Sequence, residues 1–246
     1  MNTITKISFF FLYLMCISCN KSPFDFLITS GKLTNETRYT NEFTGIVVSD
    51  VFDVYLKTDT ICKVEIQAGQ NILPFIQTTV TDQTLTLNNT IKDRWARNYD
   101  RIKIIVSIKN LYYFSMLDAS DIYSLNTIQA SWCYMYCISV LGSMNITVNS
   151  YSLFWTTADE TAGHYEIKGI AENLNLTGKG TSLIRADSLQ VKNAVVNNYS
   201  IGNMYVNVSD TLNISITNTG QVYCTGNPVV YPNHMSNPNG LIFLNK

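Results

Sequence analysis

The sequence predicts an all-β chain wound into a β-solenoid of roughly 20-residue rungs. Composition points that way first. Charged residues make up only 14% of the 246 residues, while hydrophobic ones reach 46% and tyrosines number 15. Asn, Thr and Ser carry the polarity instead. With Gly they favour tight turns, as Tyr, Thr, Val and Ile favour strands. Patterning agrees, because Lys63-Val64-Glu65-Ile66 and Thr84-Leu85-Thr86-Leu87 alternate with the period of a half-buried strand. Finally, a turn-plus-strand unit recurs from about residue 111 onward, and no dozen-residue window carries a capped helical stripe.

The N-terminus is an address. Residues 1–19 read MNTITKISFFFLYLMCISC, with Lys6 ahead of an apolar run from Ile7 to about Ile17. That run is shorter than the ~20 residues a bilayer span needs, but it suits a secretory signal. Ile17, Ser18 and Cys19 resemble the end of a bacterial lipobox, although Cys16 stands where Leu is usual. On this reading residues 1–18 are removed and Cys19 carries the lipid, attaching the protein to a membrane of the cell envelope. Multiple acyl chains anchor firmly, at about 0.8 kcal/mol per buried methylene. Residues 19–40 form a polar tether and 41–246 the folded domain.

Strand signals then follow one another: Gly45–Val48, Val51–Leu56, Lys63–Gln67, Thr84–Leu87 and Ile102–Ile108. The run Trp132–Val140 is the most apolar, and its Trp, Tyr, Cys and Val content favours strand. In the repeat region a small or turn-forming residue precedes an apolar one that opens a short alternating strand. These first apolar positions are Ile122, Ile146, Tyr165, Leu183, Met204 and Val222, spaced 24, 19, 18, 21 and 18 residues apart. Further strands lie at Leu174–Thr177, Val191–Val196 and Leu212–Ile216. A rung of two or three strands, stacked on the next at about 4.8 Å, produces such a spacing. A sandwich of hairpins also has recurring strands, but at 8–12 residues and with Asn-Gly turns that are nearly absent here.

Charge and cysteine content exclude other classes. Seventeen basic against eighteen acidic residues leave no electrostatic footprint for nucleic acid. An apolar, nearly neutral chain is not disordered. Beyond the signal and Cys19, four cysteines remain: Cys62, Cys133, Cys137 and Cys224. Cys133 and Cys137 would sit roughly 13 Å apart in one strand, too far to bridge. No CxxC spacing or neighbouring His makes a zinc site, so the four read as small buried hydrophobes.

The order of segments resembles the head GIN domain family of auto-transporter adhesins, found in exported proteins of Bacteroidetes-type bacteria. The resembling residues run through Phe43–Val48, Val51–Leu56, Lys63–Ile66, Asn71–Ile76 and Thr84–Leu87, and close at Gly220-Gln221-Val222-Tyr223-Cys224-Thr225-Gly226-Asn227-Pro228. The middle turns depart from the family's Gly-Ser-Gly type, reading Leu117-Asp118-Ala119-Ser120, Leu141-Gly142-Ser143-Met144 and Asn198-Tyr199-Ser200-Ile201. The resemblance implies a right-handed β-helix and a role in adhesion.

Chemistry-bearing residues are few. His164 lies in a repeat turn and His234 in the loop Pro232-Asn233-His234-Met235, neither beside an Asp or Cys that would complete a triad or metal site. Asp118 with Asp121, and Asp159 with Glu160, are the pairs a polysaccharide-active enzyme could use as acid and base; as turn carboxylates they read as solvated. Sequons such as Asn145-Ile146-Thr147 follow from composition in a lipobox protein. The densest charge falls in Lys92–Arg101, where Trp95, Arg97 and Tyr99 share one side if extended. That stripe offers stacking faces and a guanidinium fork for a glycan, or else plugs a gap in the core. The expectation is therefore a non-catalytic envelope lipoprotein without cofactor or metal, binding a glycan or cell-surface polymer. A structural lipoprotein without ligand and a polysaccharide-active enzyme are the alternatives.

Overall fold

The computed structural model of the protein describes residues 29–91, 100–139 and 141–244. Among these residues, seventeen strands form one continuous sheet. They begin with β1 (Leu33–Tyr39), β2 (Gly45–Val48), β3 (Asp53–Thr58), β4 (Lys63–Gly69), β5 (Ile76–Thr81), β6 (Thr84–Asn89) and β7 (Lys103–Ile108). Next come β8 (Tyr113–Met116), β9 (Asp121–Ser124) and β10 (Ile128–Cys137). Four long strands follow: β11 (Ser143–Thr157), β12 (His164–Gly178), β13 (Leu183–Asn198) and β14 (Met204–Ile216). The chain closes with β15 (Val222–Thr225), β16 (Val229–Met235) and β17 (Leu241–Phe243). Among the described residues the only helical turn is the 3-10 turn Leu73–Phe75, and no helix is long and apolar enough to cross a membrane.

From β8 onward every pairing is parallel, each strand lying on its counterpart one rung later. The result is a β-solenoid of about 6 turns. Period-two alternation turns alternate residues inward, and the parallel register stacks them in columns. One column runs Val54, Ile122, Met144, Tyr165, Ile184, Met204, Val222 and Leu241. A second runs Leu85, Ile46, Phe114, Met135, Trp155, Leu176, Val196 and Ile214. All but Leu241, which is partly buried, are essentially without solvent exposure. Fully burying such a side chain contributes roughly 1.5–3 kcal/mol, and a rung gains it only between neighbours.

The columns correct two repeat positions. Met144, not Ile146, stacks on Ile122, and Ile184, not the half-buried Leu183, stacks on Tyr165. The first apolar residue after a turn is thus an unreliable register mark. Facing is set by the inward stack, and a slip of one residue reverses it.

Long strands bend where their inward phase breaks. Along β13 the buried hydrophobic residues are Ile184 and Ala186, then Leu189 and Val191, then Ala194 and Val196. Register shifts against β14 fall in both intervals. Two corners thus divide the strand into three inward-facing runs. At the corresponding place in β12 stands Gly169, at φ +111°, where a Cβ would collide with the Val148 carbonyl oxygen of the rung before. Only glycine meets both demands.

Antiparallel pairs close the N-terminal end. β1 pairs with β4, β4 with β7, and β5 with β6 through a two-residue turn at Asp82 and Gln83, both with positive φ. The Arg38 guanidinium, ion-paired to Glu36 at 2.6 Å, donates to the carbonyls of Leu73 (3.2 Å) and Ile76 (2.5 Å). Residues 33–39, read from sequence as tether, are therefore strand. Their exposed, polar alternation masked a strand whose stability comes from pairing with β4. His234, assigned to a loop, lies in β16, and His164 opens β12. The four cysteines Cys62, Cys133, Cys137 and Cys224 are free and buried.

Candidate binding face

Alternation in β10 separates two chemistries. Cys133, Met135 and Cys137 point into the core, which leaves Trp132, Tyr134 and Tyr136 on the outer wall. Parallel register then brings aromatics from three strands together. Tyr134 lies between Tyr113 of β8 and Phe154 of β11. The Tyr134 and Phe154 rings stack at 4.5 Å with planes 8° apart, and Trp132 lies parallel to Phe154 at 5.9 Å. At the ends the rings turn. Tyr112 meets Tyr134 edge-on at 5.3 Å, and Tyr151 tilts 56° from Trp132 at 6.1 Å. Tyr136 joins through Tyr113 at 5.7 Å.

Three of these seven rings face solvent. Tyr112 is 50% exposed, Trp132 45% and Tyr151 58%. Leu117, Ile138 and Leu141, at the turn ends of the same rungs, are exposed as well. Scattered surface hydrophobes need no explanation, but a contiguous aromatic patch marks an interaction site. Desolvation by its neighbours, with the Tyr112 phenol beside it, pushes the Tyr134 hydroxyl above the usual tyrosine range. Stacked inner rings make a rigid base; the tilted outer rings offer faces and hydroxyls to a partner.

A second outer row has mixed character. Tyr55 and Tyr123 stack at 5.1 Å with Lys103 4.5 Å above the Tyr55 ring. Four rungs beyond Tyr123, Tyr205 and Tyr223 stack at 4.7 Å, with the Arg185 guanidinium 4.7 Å from Tyr205. Three of the four carboxylates singled out from sequence are engaged here and nearby, and Glu160 is exposed. Arg101 pairs with both Asp53 and Asp121, and Asp121 also accepts from the Ser143 hydroxyl at 2.5 Å. Asp118 accepts from the Ala119 amide of its own turn at 2.8 Å, and Asp159 pairs with Lys179 at 3.3 Å. Among the described residues no three potential ligands gather as a metal site. Cys19, Trp95, Arg97 and Tyr99 lie outside the described residues.

Sequence reasoning missed the aromatic wall. The signal was local and available: Trp132-Cys133-Tyr134-Met135-Tyr136-Cys137 alternates aromatic with sulfur-containing side chains. Joining it to Tyr112, Tyr113, Tyr151 and Phe154 required the rung register.

Solved structures share this architecture. A putative adhesin from Bacteroides fragilis superposes with TM-score 0.77 at 20% identity, covering 88% of this chain and 95% of its own. One from Parabacteroides distasonis gives 0.64 at 17% identity, covering 87% and 95%. A putative lipid binding protein from the same species gives 0.59 at 16%, covering 87% and 98%. No curated protein matches the sequence. The family model for the head GIN domain of putative auto-transporter adhesins matches residues 42–228, which span the antiparallel cap from β2 onward and the parallel rungs through β15. The chain belongs to that family.

Proposed function

We propose that this protein is a non-catalytic adhesin of the cell envelope, held by a lipid on Cys19, that binds carbohydrate polymer through its outer aromatic wall. The exposed stack built from Tyr112, Trp132, Tyr134, Tyr151 and Phe154 carries the reading. Aromatic faces bind the C–H faces of sugar rings, while phenol and indole groups supply hydrogen bonds at the same place. A wall fixed by parallel strands orders little on binding, which lowers the entropic cost of gripping a long polymer. Family membership supports adhesion, and the lipobox-like Ile17-Ser18-Cys19 supports the anchor. Trp95, Arg97 and Tyr99 are proposed as further contacts for the same polymer from their spacing in sequence.

Two experiments test this. Purified protein is applied to a glycan array and to whole-cell polysaccharide, beside Trp132→Ala and Tyr151→Ala variants of unchanged melting temperature. Binding that falls at least tenfold in the variants is expected; binding to lipid vesicles alone, or undiminished binding by both variants, refutes the wall. Labelling of cells with a palmitate analogue tests the anchor. Label that persists in Cys19→Ala removes it.

A further inference from the structure

Most outer polar side chains of the rungs are tied to one another. Asn145 donates to Glu166, Asn193 to Asn173 and Asn197 to Thr177, while Lys192 pairs with Glu172 and Arg185 with Asp187. The sheet formed by β1, β4 and β7 differs. Its outer side has a hollow of about 220 Å3 lined by Asn35, Thr37, Glu65, Gln67, Lys103 and Ile105. Register explains the gathering: Asn35 lies beside Gln67 and Gln67 beside Lys103, with Thr37, Glu65 and Ile105 forming the next row. Among the described residues, the side chains of Asn35, Thr37 and Gln67 make no hydrogen bond, and Lys103 makes no ion pair. Asp53, the strand neighbour of Lys103, is held by Arg101 at 2.9 Å, and the Lys103 ammonium lies over the Tyr55 ring instead. Glu65 is paired on its far side with Lys63 at 3.2 Å.

We infer that this hollow is a binding subsite for a single neutral pyranose ring. Two carboxamides, a hydroxyl, a carboxylate and an ammonium together offer donors and acceptors in the mixture that vicinal sugar hydroxyls require. Both signs of charge line the hollow, the Glu65 carboxylate and the Lys103 ammonium, so it is not built for an ionised ligand of one sign. Ile105 provides an apolar floor for the ring's C–H face. The volume lies below the ~300 Å3 where drug-sized pockets begin, which limits the occupant to one ring. A larger hollow of about 460 Å3 between Ile170 and Asp210 differs in that its charged groups are already paired. There Lys192 already holds Glu172 at 3.0 Å and Ser209 holds Asp210 at 2.9 Å.

The subsite stands apart from the aromatic wall and does not depend on it. Saturation-transfer NMR on the purified protein, with the methyl glycosides of glucose, galactose, mannose and N-acetylglucosamine, tests it. Transfer to at least one glycoside is expected, with affinity at least tenfold weaker in Gln67→Ala and in Lys103→Ala. It should be unchanged in Lys192→Ala. Absence of transfer from all four glycosides, or affinity retained in the Gln67→Ala and Lys103→Ala double variant, overturns the inference. Loss of polymer binding in Trp132→Ala with glycoside binding intact would show that the two sites are separate.

Discussion

Replacing Ile184 and Leu183 in turn by Asp tests the inward phase of the whole stack. Ile184 has no solvent exposure and lies between Tyr165 and Met204 in the first interior column. Its neighbour Leu183 is half-buried and pairs with the exposed His164. A carboxyl at position 184 has no water to ionise in, so it takes up a proton. Holding that proton at pH 7 on a group of ordinary pKa near 3.9 costs about 4 kcal/mol. Lost burial of the isoleucine adds roughly 2 kcal/mol. The total of roughly 6 kcal/mol is comparable to the whole stability of a domain at the low end of the typical 5–15 kcal/mol. At pH 5 the proton costs only about 1.5 kcal/mol, so the deficit shrinks as pH falls. Leu183→Asp should cost about 1 kcal/mol or less at either pH. Urea unfolding of both variants and of Ile184→Asn, at pH 5 and pH 7, gives the comparison. Equal losses at 183 and 184, or a loss at Ile184→Asp no more pH-dependent than at Ile184→Asn, would refute the register.

Gly169→Ala should destabilise by about 1–3 kcal/mol, because the new Cβ meets the Val148 carbonyl at a backbone angle that alanine avoids; calorimetry that finds an unchanged melting temperature would remove the corner assignment. The four thiols should resist a chromogenic disulfide reagent at pH 8 in the folded protein and all react in denaturant, since burial pushes Cys133 up to about 12 and Cys224 up to about 11 from an ordinary 9.0. Burial raises Cys137 and Tyr165 in the same direction. Because these folded-state values lie above the unfolded ones, their contribution to stability is complete below pH 9 and declines as pH rises from 9 toward 11–12. Unfolding midpoints measured from pH 8 to 11 should therefore fall, and a flat profile would contradict the burial of these groups.

Much of the architecture was legible because it depends on local alternation. Gly45–Val48 is a strand with the bounds its residues predict, and Lys63, Thr84 and Lys103 begin strands within a residue of the expected place. Less legible was anything that depends on which residue lies one rung away. Thr-Ser-Leu-Ile at 181–184 has two consecutive apolar residues, and only the stack on Tyr165 decides that Ile184 enters the core. The hollow beside Lys103 needed an antiparallel strand that polar Leu33–Tyr39 does not announce, since its burial alternates only between exposed and half-buried. Among site residues, Trp132 and Tyr134 were readable as outward-facing from β10 alone, whereas Phe154 joins them only by register.

Columns in register make the molecule tolerant of one kind of insertion or deletion and intolerant of another. His164 stacks on Leu183 and Tyr165 on Ile184, so excising His164 through Ser182 would set Leu183 and Ile184 on the positions His164 and Tyr165 now occupy. Both interior columns would stay continuous, and the wall would simply be one storey shorter. A single added residue in the same strand would instead turn the following side chains over, core to solvent, as far as the next corner. Lineages can therefore lengthen or trim such a wall in whole-rung steps while the cap and the neighbouring rungs keep their sequences and their geometry.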